Sequence, residues 1–260
     1  MTPSPSTLAA HDDRMAAPVD ALSDAGRQPL RAFLRRPVAP DRATGFGMDG
    51  LRGVLRLYAV DFAAMSVLGI IALAVVATGF EFPTNTLNEI ELTPGFIAII
   101  VLGAPLAEEL VFRGWLSGRP GHVAACLLGA VAFYLQPENI FDEAAFESAI
   151  VVVMVILLPA AIGALWHWRK RSPMRWFARG FPGIFWLVTL AFALVHLTNY
   201  QEGALYVLLP LVLPQFIAGT LFGYARVQYG LWAAILLHAM HNGTAVLLVL
   251  MMGEALPAAG

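Results

Sequence analysis

From Leu57 to Met252 the chain is a succession of long apolar blocks separated by short polar segments. An α-helix rises ~1.5 Å per residue, so about 20 apolar residues are needed to cross a ~30 Å hydrocarbon core. Leu57 to Gly79, Gly95 to Leu116, His122 to Gln136, Ala145 to Trp166, Pro182 to about Tyr200, Ala204 to Ala225 and Leu231 to Met252 meet or approach that length. The pattern predicts an all-α fold over residues 51–255, a polytopic transmembrane helix bundle of about seven spans. The third block is short and reads equally as a re-entrant or tilted segment. Pro105, Pro159, Pro210 and Pro214 fall inside the blocks and mark kinks, which bilayer helices tolerate.

Residues 1–50 read differently. They are rich in Pro, Ala, Asp and Arg, and without a sustained apolar run they cannot bury enough surface to offset the entropy of ordering. A disordered cytoplasmic tail is expected there, with a short interfacial helix over Phe46 to Arg56. No basic segment followed by a short apolar core opens the chain, so insertion is expected to rely on the first span.

Composition agrees with the pattern. Of 260 residues, 58% are hydrophobic and only 13% charged, with a mean hydropathy of +0.70, far beyond a soluble domain. The single cysteine, Cys126, excludes an internal disulfide, a Cys-x-x-Cys redox pair and a thiolate metal cluster. The net charge of −2 hides an asymmetry that speaks to topology, not to nucleic-acid binding. Arg31, Arg35, Arg36, Arg42, Arg52 and Arg56 precede the first span, and alternate loops add Arg113, Arg119, Arg169, Lys170, Arg171, Arg175, Arg179 and Arg226. The opposite loops hold Glu81, Glu89, Glu91, Glu138, Asp142, Glu143 and Glu202. Positive charge stays inside, so a cytoplasmic N-terminus is expected. The Ala/Arg/Pro-rich tail suggests a bacterium, and hence its inner membrane.

Ionisable groups inside three of the blocks change the picture from scaffold to chemistry. Each costs about 2.5 to 3.5 kcal/mol at the centre of a membrane helix and marks a functional hypothesis by default. In GAPLAEELVFRGWL, Glu109 and Arg113 are i and i+4 on one face and suit an ion pair, whereas Glu108 points about 100° away. The fifth block gives AFALVHL, with Phe192 and His196 on one face, and the seventh gives HAMHN, with His238 and Asn242 on one face. Counting from span centres puts Glu108 and His238 in one layer. His196 falls ~7 to 8 Å toward the other side, a gap that a kink or tilt would close.

A glutamate, two histidines and an asparagine supply the parts for hydrolysis: Glu108 to take a proton from water, imidazole and amide groups to orient that water or hold an oxyanion. The same Glu108, His196 and His238 are also candidate zinc ligands, two His and one Glu with an open fourth position. Bland readings compete with both. Glu109 and Arg113 read as a structural pair, His122 and His241 as structural or interfacial, His167 as part of an interfacial belt, and Glu138 to Glu147 as a solvated loop.

Taken together, EELVFR, FALVH and HAMHN resemble, in order, the Glu-Glu-x-x-x-Arg, Phe-x-x-x-His and His-x-x-x-Asn motifs of the CPBP intramembrane proteases, the CAAX prenyl protease and bacteriocin-processing (Abi) family. The resemblance covers about Gly95 to Val249. It implies an intramembrane endopeptidase in which Glu108 and His196 activate water, His238 and Asn242 bind the oxyanion or the substrate carbonyl, and Glu109, Arg113 and Phe192 support the site. The implied partner is a membrane-associated protein or peptide substrate. No cofactor is expected, because asparagine is a poor zinc ligand, with zinc as the alternative. An extra apolar block and the basic stretch Arg169 to Arg179 lengthen the interval between the first two motifs. Phe133 to Gln136 imitates part of the second motif, but a glutamine cannot act as a base. The rival classes are a catalytically inactive membrane scaffold and a proton-coupled transporter, which also uses buried Glu and His.

Overall fold

The computed structural model describes residues 28–38, 43–86, 91–134, 152–168 and 170–255. The helices are α1 (Leu30–Arg35), α2 (Met48–Val76), α3 (Pro94–Arg113), α4 (Pro120–Tyr134), α5 (Leu158–His167), α6 (Arg175–Val195), α7 (Leu205–Leu211), α8 (Leu213–Gln228) and α9 (Leu231–Ala255). Among the described residues there is no strand, only an isolated antiparallel bridge between Asn85 and Tyr200. The all-helical architecture stands as expected from the apolar blocks.

The count of seven spans does not stand in full. Four helices are long and apolar enough to cross a bilayer, namely α2, α3, α6 with its terminal turn, and α9; α7 and α8 make a fifth if taken as one bent span. The break has a chemical cause. Pro214 has no N–H for the Pro210 carbonyl four residues back, and its ring crowds that carbonyl, so the pair bends by 40° at Val212. The described parts of the third and fourth blocks are the short apolar helices Pro120–Ala132 and Val155–His167, too short for ~30 Å at ~1.5 Å per residue. Residues 135–151, with the whole expected acidic loop and the Gln136 of the imitated motif, lie outside the described residues.

The core is aromatic and lies where α6, α8 and α9 meet. Phe177, Phe181, Phe185 and Phe192 recur along the inner face of α6 at helical spacing and are buried. Glycine lets the helices close: a Cβ at Gly219 would meet Phe192 Cδ1 at 2.8 Å, and one at Gly223 would meet the Phe185 ring at 2.7 Å. Gly230, at φ +118, makes the tight turn from α8 into α9 in a conformation side chains resist.

The segment before the first span is more ordered than a disordered tail through residue 50 would allow. Phe33 of α1 is fully buried, edge-on to Phe185 and Tyr224 with centroids 4.9 and 5.1 Å away. Tyr224 donates to Gln28 O at 2.8 Å, and Thr44 donates through both its N–H and its hydroxyl to Gln228 O. One aromatic anchor and three hydrogen bonds offset the ordering of this segment. The interfacial helix expected over Phe46 to Arg56 is the beginning of α2 itself, which runs unbroken from Met48.

Two arginines also change standing. Arg113 is 1% exposed, and Arg226 is buried, donating from Nε to Arg113 O at 2.9 Å and from Nη2 to Gly114 O at 3.2 Å. Both satisfy groups at the end of α3 and drop out of the count of free loop charges.

Candidate active site

Two of the three helices that carry the site are locally irregular next to it. In α3 the backbone widens into a π turn over Ile99–Gly103, and Ala104 N–H bonds Ile99 O instead of Ile100 O. The shifted register offers Ile100 O to residue 105, a proline without an N–H. Asn242 of α9 supplies the missing donor, its Nδ2 lying 2.9 Å from Ile100 O. One amide hydrogen of Asn242 is thereby committed to holding α3.

At the end of α6 the helix tightens into a 3₁₀ turn, His196–Asn199, so the His196 N–H bonds Ala193 O instead of Phe192 O. The freed Phe192 carbonyl takes the ring of His196 itself, with Nδ1 at 2.7 Å. A carbonyl only accepts, so Nδ1 carries the proton and Nε2 of the neutral ring presents its lone pair.

The adjacent glutamates part company as their 100° separation requires. Glu109 is fully buried, and its Oε1 accepts from Arg113 Nη1 and, at 2.9 Å, from His238 Nδ1. Arg113 also donates to Gly219 O at 3.4 Å and stacks its guanidinium 4.1 Å over the Phe192 ring. Glu108 has 31% of its side chain exposed, yet its Oε2 is buried without a hydrogen-bond partner. That oxygen lies 4.0 Å from His196 Nε2 and 3.9 Å from His238 Nε2. The three atoms converge from α3, α6 and α9 on one small space.

The depth estimate from span centres fails for an identifiable reason. It places each helix symmetrically about the midplane, but α3 ends inside the bundle at the buried Arg113, and α6 begins at Arg175, seven residues before the expected start. Glu108 therefore meets His196 near the far end of α6.

Phe192 and Phe222 frame the cluster. Phe192 is edge-on to His196 at 4.9 Å and to His238 at 5.9 Å, while Phe222 stacks face-on with His238 at 4.5 Å and 21°. Reading the sequence missed Phe222, since nothing distinguishes it from other phenylalanines in an apolar helix. It also missed Asp61, 2% exposed, which accepts from His241 Nδ1 at 2.7 Å. A signal existed there: Asp61 is the one acid between Leu57 and Gly79. Among the described residues the other two histidines stand apart, His122 hydrogen-bonded to Ser117 Oγ at 2.6 Å and His167 edge-on to Trp168.

Glu108, His196 and His238 are the candidate zinc set, and their spacing tests it. Ligands at ~2.0 to 2.2 Å in a tetrahedron lie about 3.3 to 3.6 Å apart. The separations here, 3.9 and 4.0 Å, are wider, and among the described residues no group of three His, Cys, Asp or Glu is arranged to hold a metal. As they stand, these residues do not fit a tetrahedral zinc ion.

The chain can now be set beside known proteins. No curated protein and no solved structure matches it significantly. Residues 90–244 match the family described as type II CAAX prenyl endopeptidase Rce1-like. The match runs from before the π turn of α3 past Asn242 and takes in Glu108, Glu109, Arg113, Phe192, His196 and His238. With apolar helices long enough to cross a membrane and this match over more than half its length, the chain is an integral membrane protein belonging to the Rce1-like type II CAAX prenyl endopeptidases, a family of intramembrane proteases.

Proposed function

We propose that this protein hydrolyses peptide bonds of membrane-associated proteins or peptides with a water activated by Glu108, without a metal. The observation that carries the reading is the orphaned Glu108 Oε2, buried and 3.9 to 4.0 Å from two imidazole Nε2 atoms. Those gaps are too long for direct hydrogen bonds and suit a water ~2.8 Å from each atom.

In the proposed cycle the water donates one hydrogen to Glu108 Oε2 and the other to His196 Nε2, whose ring the Phe192 carbonyl holds in the required tautomer. Glu108 takes the proton as the water oxygen attacks the scissile carbonyl, and later delivers it to the departing amine, so the proton count closes. His238, with its Nδ1–H on Glu109, carries a second proton on Nε2 and donates it as a hydrogen bond to the oxyanion. Two carboxylates are then balanced by Arg113 and His238. The second amide hydrogen of Asn242 adds a further donor. On this reading Glu109 and Arg113 orient and never react.

The positive loops support a cytoplasmic N-terminus. The test is cleavage of fluorogenic membrane peptides, prenylated and unprenylated, by detergent-purified protein with and without a strong chelator, with bound metal quantified. Cleavage by metal-free protein is expected. Activity lost on chelation and restored by zinc would overturn the metal-free mechanism.

A further inference from the structure

Asp61 and His241 lie outside the proposed cycle, yet a buried acid in a membrane helix is too costly to pass over. Asp61 Oδ2 accepts from His241 Nδ1 at 2.7 Å, and Asp61 Oδ1 is buried without a partner. One turn away on both helices, Tyr58 and Thr244 share a hydrogen bond of 2.6 Å between their hydroxyls. Phe46 lies edge-on to Trp232 at 5.0 Å and Gly50 sits against the same ring, so α2 and α9 start together and run parallel, and the pairs 58 with 244 and 61 with 241 are two rungs that tie them within one turn.

Two rungs fix more than contact. A rotation of α9 by one residue, ~100°, or a slide of ~1.5 Å would break both. The same turn of α9 carries His238 and Asn242, and the Phe222 ring touches both His238 and His241, at 4.5 and 5.7 Å. On its other side α9 is held to α3 by Asn242 on Ile100 O and by His238 on Glu109. Hydroxyl pairs alone would serve as glue between membrane helices, at lower cost than an ionised acid.

We propose that Asp61 and His241 are a positioning pair that sets the rotation and register of α9 and so aims His238 and Asn242 at Glu108. The pair acts through geometry, not by exchanging protons with substrate. The proposal rests on the hydrolytic reading above.

The test compares Asp61→Ala, Asp61→Asn, His241→Ala and His241→Asn in kcat, KM, melting temperature and the imidazole ¹⁵N signals of His238 in histidine-labelled protein. Asparagine at 241 places an N–H close to where Nδ1–H stood. The expected result is a kcat about 10²-fold lower at unchanged KM for the two alanine variants, as for a misplaced catalytic group, with displaced His238 signals. His241→Asn and Asp61→Asn, which keep a donor and an acceptor, are expected to recover most of kcat. A lowered melting temperature with kcat and His238 signals unchanged would reduce the pair to structural glue and overturn the proposal. His241→Asn as inactive as His241→Ala would overturn it too, since the imidazole itself would then be required. If Glu108→Gln cleaves like wild type, the hydrolytic reading falls, and the His238 signals still decide the pair.

Discussion

Helix α9 carries two histidines, each donating Nδ1–H to a buried carboxylate: His238 to Glu109 at 2.9 Å and His241 to Asp61 at 2.7 Å. They differ in what each carboxylate and each Nε2 meets. Glu109 is matched by Arg113, and His238 Nε2 faces the unpartnered Glu108 Oε2 across a gap of 3.9 Å. Asp61 pairs with His241, its Oδ1 left without a partner, and the two join neighbouring helices. On the proposed reading the same dyad serves chemistry at His238, where the Glu108 carboxylate lies beyond the ring, and alignment at His241. Identity of side chains therefore says less than what lies one atom further out.

The comparison breaks most sharply at Glu108. Glu108→Gln keeps the shape and loses the base, so cleavage is expected to fall by about 10² to 10⁴-fold, the span of general acid–base contributions, at an unchanged melting temperature. Arg113→Ala strands buried Glu109 without its guanidinium partner; about 3 to 5 kcal/mol of stability is expected to go, read as loss of folded protein by size-exclusion and thermal unfolding. Asn242→Ala leaves Ile100 O unsatisfied beside Pro105, costing about 1 to 3 kcal/mol, and chemical unfolding should show that loss alongside reduced kcat. Phe222→Leu, the mildest change, removes the ring stacked on His238 while keeping the volume apolar. A fall in kcat with a stability loss under about 1.5 kcal/mol is expected.

Much of the site was legible because helical spacing alone separates neighbours. The i, i+4 relation put Glu109 with Arg113 and turned Glu108 away, and the pairs Phe192/His196 and His238/Asn242 shared faces as their spacing required. What spacing could not give was depth, because helix ends are set by packing: α3 stops at an arginine buried by α6 and α8. Nor could it give the π turn, although Pro105 marked the place where a carbonyl would lack its donor. The span count stands only in part, because apolarity identifies membrane-like helices without fixing that each crosses, and the described part of α4 is fifteen residues long. Phe33 was hidden in a polar, proline-rich stretch, where only the local pattern Leu30, Phe33, Leu34 hinted at a face to bury.

The central claim is a division of labour between adjacent glutamates, and the most direct measurement is a side-by-side comparison of Glu108→Gln and Glu109→Gln for folded yield and peptide cleavage. Glu108→Gln is expected to be folded and inactive, while Glu109→Gln, leaving Arg113 buried without its anion, is expected to lose folded protein. Cleavage that persists in folded Glu108→Gln, or a Glu109→Gln protein as stable as wild type, would contradict it.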